Sequence, residues 1–366
     1  MLKINHYIKR GGDNMRYFVD VTQRQADEIN KLIKIGKYQS IAQFISTAIE
    51  NQIYLENFVE LPQQAGFNKK DYEISSNLDK TITTEAKKIM LSEIESQPRA
   101  VPMPTFSVLS ASLSNVAEDK SWLWGQTNRI LPIKIGLRVL YSIIDSEQWI
   151  DLEEFRDKAA HITAWFGSEI RNYENKLNKI RDERISAGLP KEEEFKSILR
   201  YKSHFLAYMR KDGKLDGAMP FLKFVNLIKG EKGKILIGLT EAGLNFAKLD
   251  NPVIDRYDFE KSFDPKEIDF YLEHVLINVQ GESCAIKWLL TKLVNGIVKR
   301  EAIIDELKKD FGQIWQLDSD KVVNTQRAGL IARMFELGLI DKDKKGINVV
   351  YKITDLGNKF LKEVRR

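Results

Sequence analysis

Two hydrophobic periods alternate along this chain. Tyr17, Val19 and Val21 alternate with Arg16, Phe18 and Asp20, the period of two that marks a strand. Thr22 then opens a helix with Gln25 at capping-box spacing, and Ala26, Ile29, Leu32 and Ile33 follow at helical intervals up to Gly36, a natural C-terminal stop. Ser40 opens a second helix with Gln43 at the same offset and a stripe of Phe44, Ile45, Ala48, Ile49 and Ile53. Residues 1–14 end in Gly11-Gly12 and read as a flexible arm, followed by a module over 15–60. One strand and two short helices cannot close a core, so the pattern predicts a second copy of the chain: two strands paired antiparallel and four helices interlocked.

The pattern then weakens. Residues 61–120 hold one amphipathic stretch, Glu85 to Ile94, then Pro98, Pro102 and Pro104 and a serine-rich run, and read as a linker region. Trp122 and Trp124 are expected to seal the edge of the next core.

A weak internal repeat organises the remainder. Leu227-Ile228 through a charged, Gly-containing turn to Ile235-Leu236-Ile237, then Thr240-Glu241-Ala242-Gly243, matches Leu339-Ile340 through a similar turn to Val349-Val350-Tyr351, then Thr354-Asp355-Leu356-Gly357. Each reads as a hairpin followed by a Thr-capped helix, with Phe246 and Phe360 at the same offset. Upstream, Ile133-Lys134, Leu137 and Leu140 parallel Ile286-Lys287, Leu290 and Leu293, and Phe155 and Ala159 parallel Ile303 and Leu307. The copies span 121–255 and 256–366. The first carries an inserted helical hairpin at about 168–211, turning at Gly188-Leu189-Pro190, which suits a coiled-coil arm or a protein-partner contact. The third helix of the first copy is interrupted by Gly213, Gly217 and Pro220 and is expected to be short; that of the second runs from about Asp320 to Leu337. The fold class is therefore mainly α with small β elements.

Composition removes whole classes of chemistry. One cysteine, Cys284, and four scattered histidines leave no thiolate zinc site or His-based triad, and no metal or cofactor is expected. Phosphate-loop, dinucleotide-loop, His-Glu-x-x-His and Gly-x-Ser-x-Gly motifs are missing, so an enzyme is not expected. Glu194-Phe195-Lys196 has the acid-x-Lys form that nucleases use, but after Glu192-Glu193 it reads as the acidic start of a helix. No run approaches the roughly 18 apolar residues of a bilayer span, and the first residues lack a signal-peptide pattern, so a cytoplasmic location without membrane contact is expected. Lysine and arginine number 57 against 52 acids, a surplus of five that says little by itself. Its densest patch is Lys196, Arg200, Lys202, Arg210 and Lys211, candidates for phosphate contact on the return helix of the insertion.

The strand, the two capped helices and the Gly36-to-Ser40 connection resemble the ribbon-helix-helix DNA-binding family of Arc, MetJ and CopG type, over about forty residues. That resemblance implies a dimer whose ribbon lies in the major groove. It assigns base readout to Arg16, Phe18 and Asp20, and a phosphate anchor to Ser40 with Ile41 and Ala42. The two repeats are similar to winged helix-turn-helix domains, the second to MarR-type regulators. This implies readout from the third helix of the second copy through Asn324, Thr325, Gln326, Arg327 and Arg333, and phosphate contact from the wing through Lys342, Lys344 and Lys345. The expectation is a sequence-specific, homodimeric transcriptional regulator of double-stranded DNA. A plasmid replication or partition protein is the alternative of the same class. A protein-interaction subunit using DNA-binding folds as assembly surfaces is the alternative of another.

Overall fold

A computed structural model of the chain describes residues 2–10, 13–21, 23–34, 40–41, 44, 86–95, 97–104, 122–123, 125–144, 148–180, 183–210, 213, 215–312, 320–345 and 348–363. For those up to residue 25, and for 28, 344, 345 and 348, it describes the backbone. The chain divides into two compact units, Met1–Glu73 and Ile74–Arg366, and is mainly helical with small sheets.

In the first unit, β1 (Leu2–Arg10) pairs antiparallel with β2 (Asp13–Val21), in register from Leu2↔Val21 to Arg10↔Asp13. The flexible arm expected at 1–14 is thus corrected: most of it is a strand. Only Gly11-Gly12 separates the two strands, a dipeptide suited to a two-residue hairpin connection. Leu2, Ile4 and Ile8 alternating with Lys3, Asn5 and Lys9 was the overlooked signal. β2 therefore has a partner in its own chain, and the inference that only a second copy could pair it does not hold. Helix α1 (Gln23–Lys34) buries Ala26 and Ile29, two of the expected stripe. Phe44 N donates to Ser40 O at 3.1 Å, a helical bond at the expected start of the next helix, whose remaining residues lie outside the described set.

In the second unit the repeat is visible as matching element order. The first copy runs α2 (Leu131–Ile143), β3 (Ile150–Asp151), α3 (Leu152–Lys176), the insertion, α5 (Ala218–Phe221), β6 (Val225–Lys229), β7 (Ile235–Leu239) and α6 (Glu241–Lys248). Two connecting helices follow, α7 (Pro252–Arg256) and α8 (Pro265–Asn278). The second copy runs α9 (Gln280–Val294), α10 (Arg300–Phe311), α11 (Asp320–Glu336), β8 (Ile340–Lys345), β9 (Asn348–Ile353) and α12 (Asp355–Glu363). In the first, β3 adds to the hairpin in the order β3-β7-β6, with Ile150 opposite Ile237. In the second, Tyr351 N donates to Val298 O and Lys299 bridges Val350, the same addition reduced to a single bridge.

The Thr-x-x-Gly strings do the same work twice. Thr240 Oγ1 accepts from Gly243 N and donates to Lys223 O; Thr354 Oγ1 accepts from Gly357 N and donates to Gly338 O. Each threonine caps its helix and ties it to the residue ahead of the hairpin. The glycines permit the approach: a Cβ on Gly243 would lie 1.9 Å from Phe224 O, and one on Gly357 2.3 Å from Leu339 O. Phe246 and Phe360 then plug the core at equivalent places.

Two expectations need correction. One hydrophobic cluster runs from Ala86 to Leu361 and joins both copies. The described part of the expected linker is packed into it: Ala86, Ile89 and Val101 are buried, and Val101 N donates to Leu239 O at the sheet edge. The insertion is no projecting hairpin. Helix α3 continues through Lys176, and the chain returns by α4 (Phe195–Arg200), a π-helical turn (Tyr201–Phe205) and a small hairpin of β4 (Tyr208–Met209) and β5 (Leu215–Asp216). Tyr201, Phe205 and Leu206 are fully buried, and Tyr201 Oη bonds Pro132 O and Thr163 Oγ1, so apolar burial folds the insertion onto α2 and α3. The expected turn is present at Gly188, with φ of 101°. Trp122 seals the core edge against Trp288 and Phe311; Trp124 lies outside the described residues.

Helix α2 sits at the centre, with eleven consecutive buried residues that include two cations. Arg138 pairs with Asp255 and donates to the carbonyls of Ile89, Ala247 and Leu249. Lys134 pairs with Glu267 and donates to Phe246 O and Leu249 O. Burial pushes Lys134 down to about 8 despite Glu267, and raises Glu267 above the usual carboxylate range.

Candidate functional site

Helix α11 carries most of the expected readout residues, and the structure sorts them. Residues Gly125 to Arg129, which lead into the first copy, lie along it. Gly329 makes this possible, since a Cβ there would meet Gly125 O at 2.1 Å. Arg129 donates to Ala332 O, and Glu336 accepts from the amides of Ile130 and Leu131 at the start of α2.

Two candidates are removed by this packing. Arg333, 1% exposed, forms a two-point ion pair with Glu282 of α9 (2.8 and 3.0 Å) and donates to Thr127 O. It clamps α9, α11 and the covering segment. Gln326 is 2% exposed, with its Cα beneath Gly125. Neither reaches a base edge in this structure, and both are corrected to structural residues.

The others remain near the surface. Thr325 Oγ1 donates to Lys321 O, and Asn324 Nδ2 to Asp320 O, both bonds back along the helix. Asn324 Oδ1 also accepts from Arg300 Nη2 at 3.2 Å. Lys342 lies over the Phe335 ring at 4.3 Å, at the base of the β8–β9 wing. The side chains of Lys344 and Lys345 lie outside the described residues. So do those of Arg16, Phe18 and Asp20, whose backbone pairs with Tyr7, Asn5 and Lys3. Ser40 is exposed and Ile41 half-buried; Ala42 is outside the set.

The insertion patch does not act as one surface. Lys202 is held by Asp157, while Lys196 and Arg200 are exposed on α4, Arg210 is half-buried, and Lys211 is outside the described residues. Arg200 alone among them reaches the cleft described next.

Arg327 marks a site that its sequence position did not reveal. It is 8% exposed and donates from Nη1 to Tyr351 Oη at 3.4 Å; its Nε has no hydrogen-bond partner among the described residues. Burial lowers its pKa from the usual arginine value. It stands between two adjoining cavities of about 450 and 470 Å³. Arg300, Asn128 and Ala328 line both. Arg129, Lys299 and Lys342 line the first, and Arg200 and Lys321 the second, against one acid, Glu301. The elements explain the convergence: α10 opens at Lys299-Arg300, α11 passes alongside, and the wing closes one end. No side chain caps the start of α10, so its first-turn amides add positive potential to the same cleft. Sequence reasoning missed Lys299, Arg300, Lys321 and Arg129; the Lys-Arg pair at a helix start was the available signal.

No protein-family model matches the chain, and it matches neither a curated protein nor a solved structure. Among the described residues, no helix is long and apolar enough to cross a membrane.

Proposed function

We propose that the protein binds double-stranded DNA, with the cleft along α11 as a phosphate-contacting face, and that it serves as a transcriptional regulator. The observation that carries this reading is that, among the described residues, seven cations drawn from five parts of the second unit line two adjoining cavities with one acid among them. Such a face supplies affinity through counterion release. The repeated element order, with its hairpin after the third helix, supports reading both copies as winged helices. The second copy is the one that presents its third helix and wing to the cleft. Asn324, Thr325, Arg327 and Lys342 stay as contact candidates, joined by Arg300 and Lys321. The ribbon-helix-helix reading of the first unit stays with it, and a homodimer through that unit would use the edge of β2 that β1 does not occupy.

A second reading follows from Gly125–Arg129 lying on α11. This segment covers part of the surface a major-groove helix would present, as expected of a DNA-binding fold turned to protein assembly.

A titration of labelled duplexes over several salt concentrations separates the two. The DNA reading expects affinity to fall steeply with salt, and R300A or K321A to lower the slope of log K against log salt by about one each. R16A tests the first unit in the same assay. No binding at low salt, or binding insensitive to salt, leaves the assembly reading.

A further inference from the structure

The cavity beside Arg327 has properties that an open phosphate-tracking surface does not need. It is walled on one side by the first copy, through Asn128, Arg129 and Ala187, and on the other by Tyr351 and Val349 of the wing, over a floor of Ile331 on α11. Its volume of about 450 Å³ falls in the range of small-molecule sites. Among the described residues, five cations and one acid line it, a surplus of four positive charges.

Most buried cations of this unit have carboxylate partners: Lys134 with Glu267, Arg138 with Asp255, Arg333 with Glu282. Arg327 is comparably buried and has none among the described residues, and its Nε is unpartnered. A buried guanidinium without a counter-anion is costly unless something supplies one. Lys299 and Arg300 beside it likewise form no ion pair among the described residues, and no side chain caps the start of α10, whose Lys299, Arg300 and Glu301 line the same space.

We propose that this cavity binds an organic di- or triphosphate of nucleotide size. Its phosphates meet Arg300, Arg327 and the amides at the start of α10, and its organic body lies against Ile331, Val349 and Tyr351. A charge of minus three or four matches the surplus, which one phosphate would leave half-compensated. This inference rests on the functional reading above in one respect: Arg300, Arg327 and Lys342 are also proposed DNA contacts, so ligand and DNA compete, which makes the ligand an effector.

The test uses the full chain with ADP, pyrophosphate, AMP and adenosine as calorimetric probes, and a duplex titration with and without ADP. ADP is expected to bind more tightly than pyrophosphate or AMP, adenosine not to bind, and R300A and R327M each to weaken ADP at least tenfold. R300A alters an exposed residue and keeps the test valid should R327M fold poorly. ADP should also weaken duplex binding. No binding of ADP or pyrophosphate, or binding that neither variant changes, overturns the site. Equal affinity for pyrophosphate and ADP overturns the apolar half of the pocket. Duplex binding without ADP binding sinks this inference and leaves the DNA reading standing; ADP binding without duplex binding does the reverse.

Discussion

Arg327 and Arg333 lie six residues apart on one helix, and both are more than nine-tenths buried. Arg333 has a carboxylate across two bonds and a carbonyl for a third donor. Arg327 has one long bond to a tyrosine hydroxyl. A satisfied buried arginine locks elements together, whereas one with donors to spare beside a cavity has hydrogen bonds to offer a partner from outside. Residue type and burial are alike at the two positions; what differs is whether the described residues provide a paired carboxylate.

The largest test of that contrast is R333M. It leaves Glu282 buried without a counter-ion and should cost about 3–5 kcal/mol, read as a large fall in the urea midpoint. G329A comes next. The added methyl meets backbone rather than a movable side chain, and should cost about 1–3 kcal/mol by driving Gly125 off α11. Lys134 supplies a pH test. Its folded pKa of about 8 lies below the ordinary lysine value of 10.5, so between these values the unfolded chain binds the extra proton and stability rises with pH. Wild type should therefore gain on K134M as pH goes from 8 to 10, by up to about 1.4 kcal/mol per pH unit. The smallest effect belongs to R327M. Removing a buried charge that has no carboxylate partner among the described residues should leave stability unchanged or raise it by up to about 1 kcal/mol. A loss as large as that of R333M would show that Arg327 is a structural clamp and would break the comparison.

What the sequence made legible was local. The Thr-x-x-Gly strings, the Gly188 turn and the short third helix of the first copy all depend on neighbours within a few positions. Burial of Gln326 and Arg333 was hidden because helical period identifies one apolar stripe, and α11 is covered on a second side by residues 125–129. Val101 was hidden in the same way: its strand partner lies near Thr240. The cleft was invisible for a third reason. Its cations come from α4, the segment before α2, the start of α10, α11 and the wing, and no window along the chain contains them together. The missing strand β1 is different, since its alternation was present and only its length and the Gly-Gly connection needed weighing.

The bonds that tie Gly125–Arg129 to α11 also have a consequence in time. Arg129 reaches Ala332 across 203 residues, and Arg333 reaches Thr127 across 206. Contacts so distant in sequence form late, because a very long loop must close before they return any free energy. As the chain is synthesised, the first copy emerges without the helix that covers its leading segment, and the start of α2 waits for Glu336. Elements late in the second unit therefore complete its early ones, and the cleft exists only after the third helix and wing of the second copy have been made.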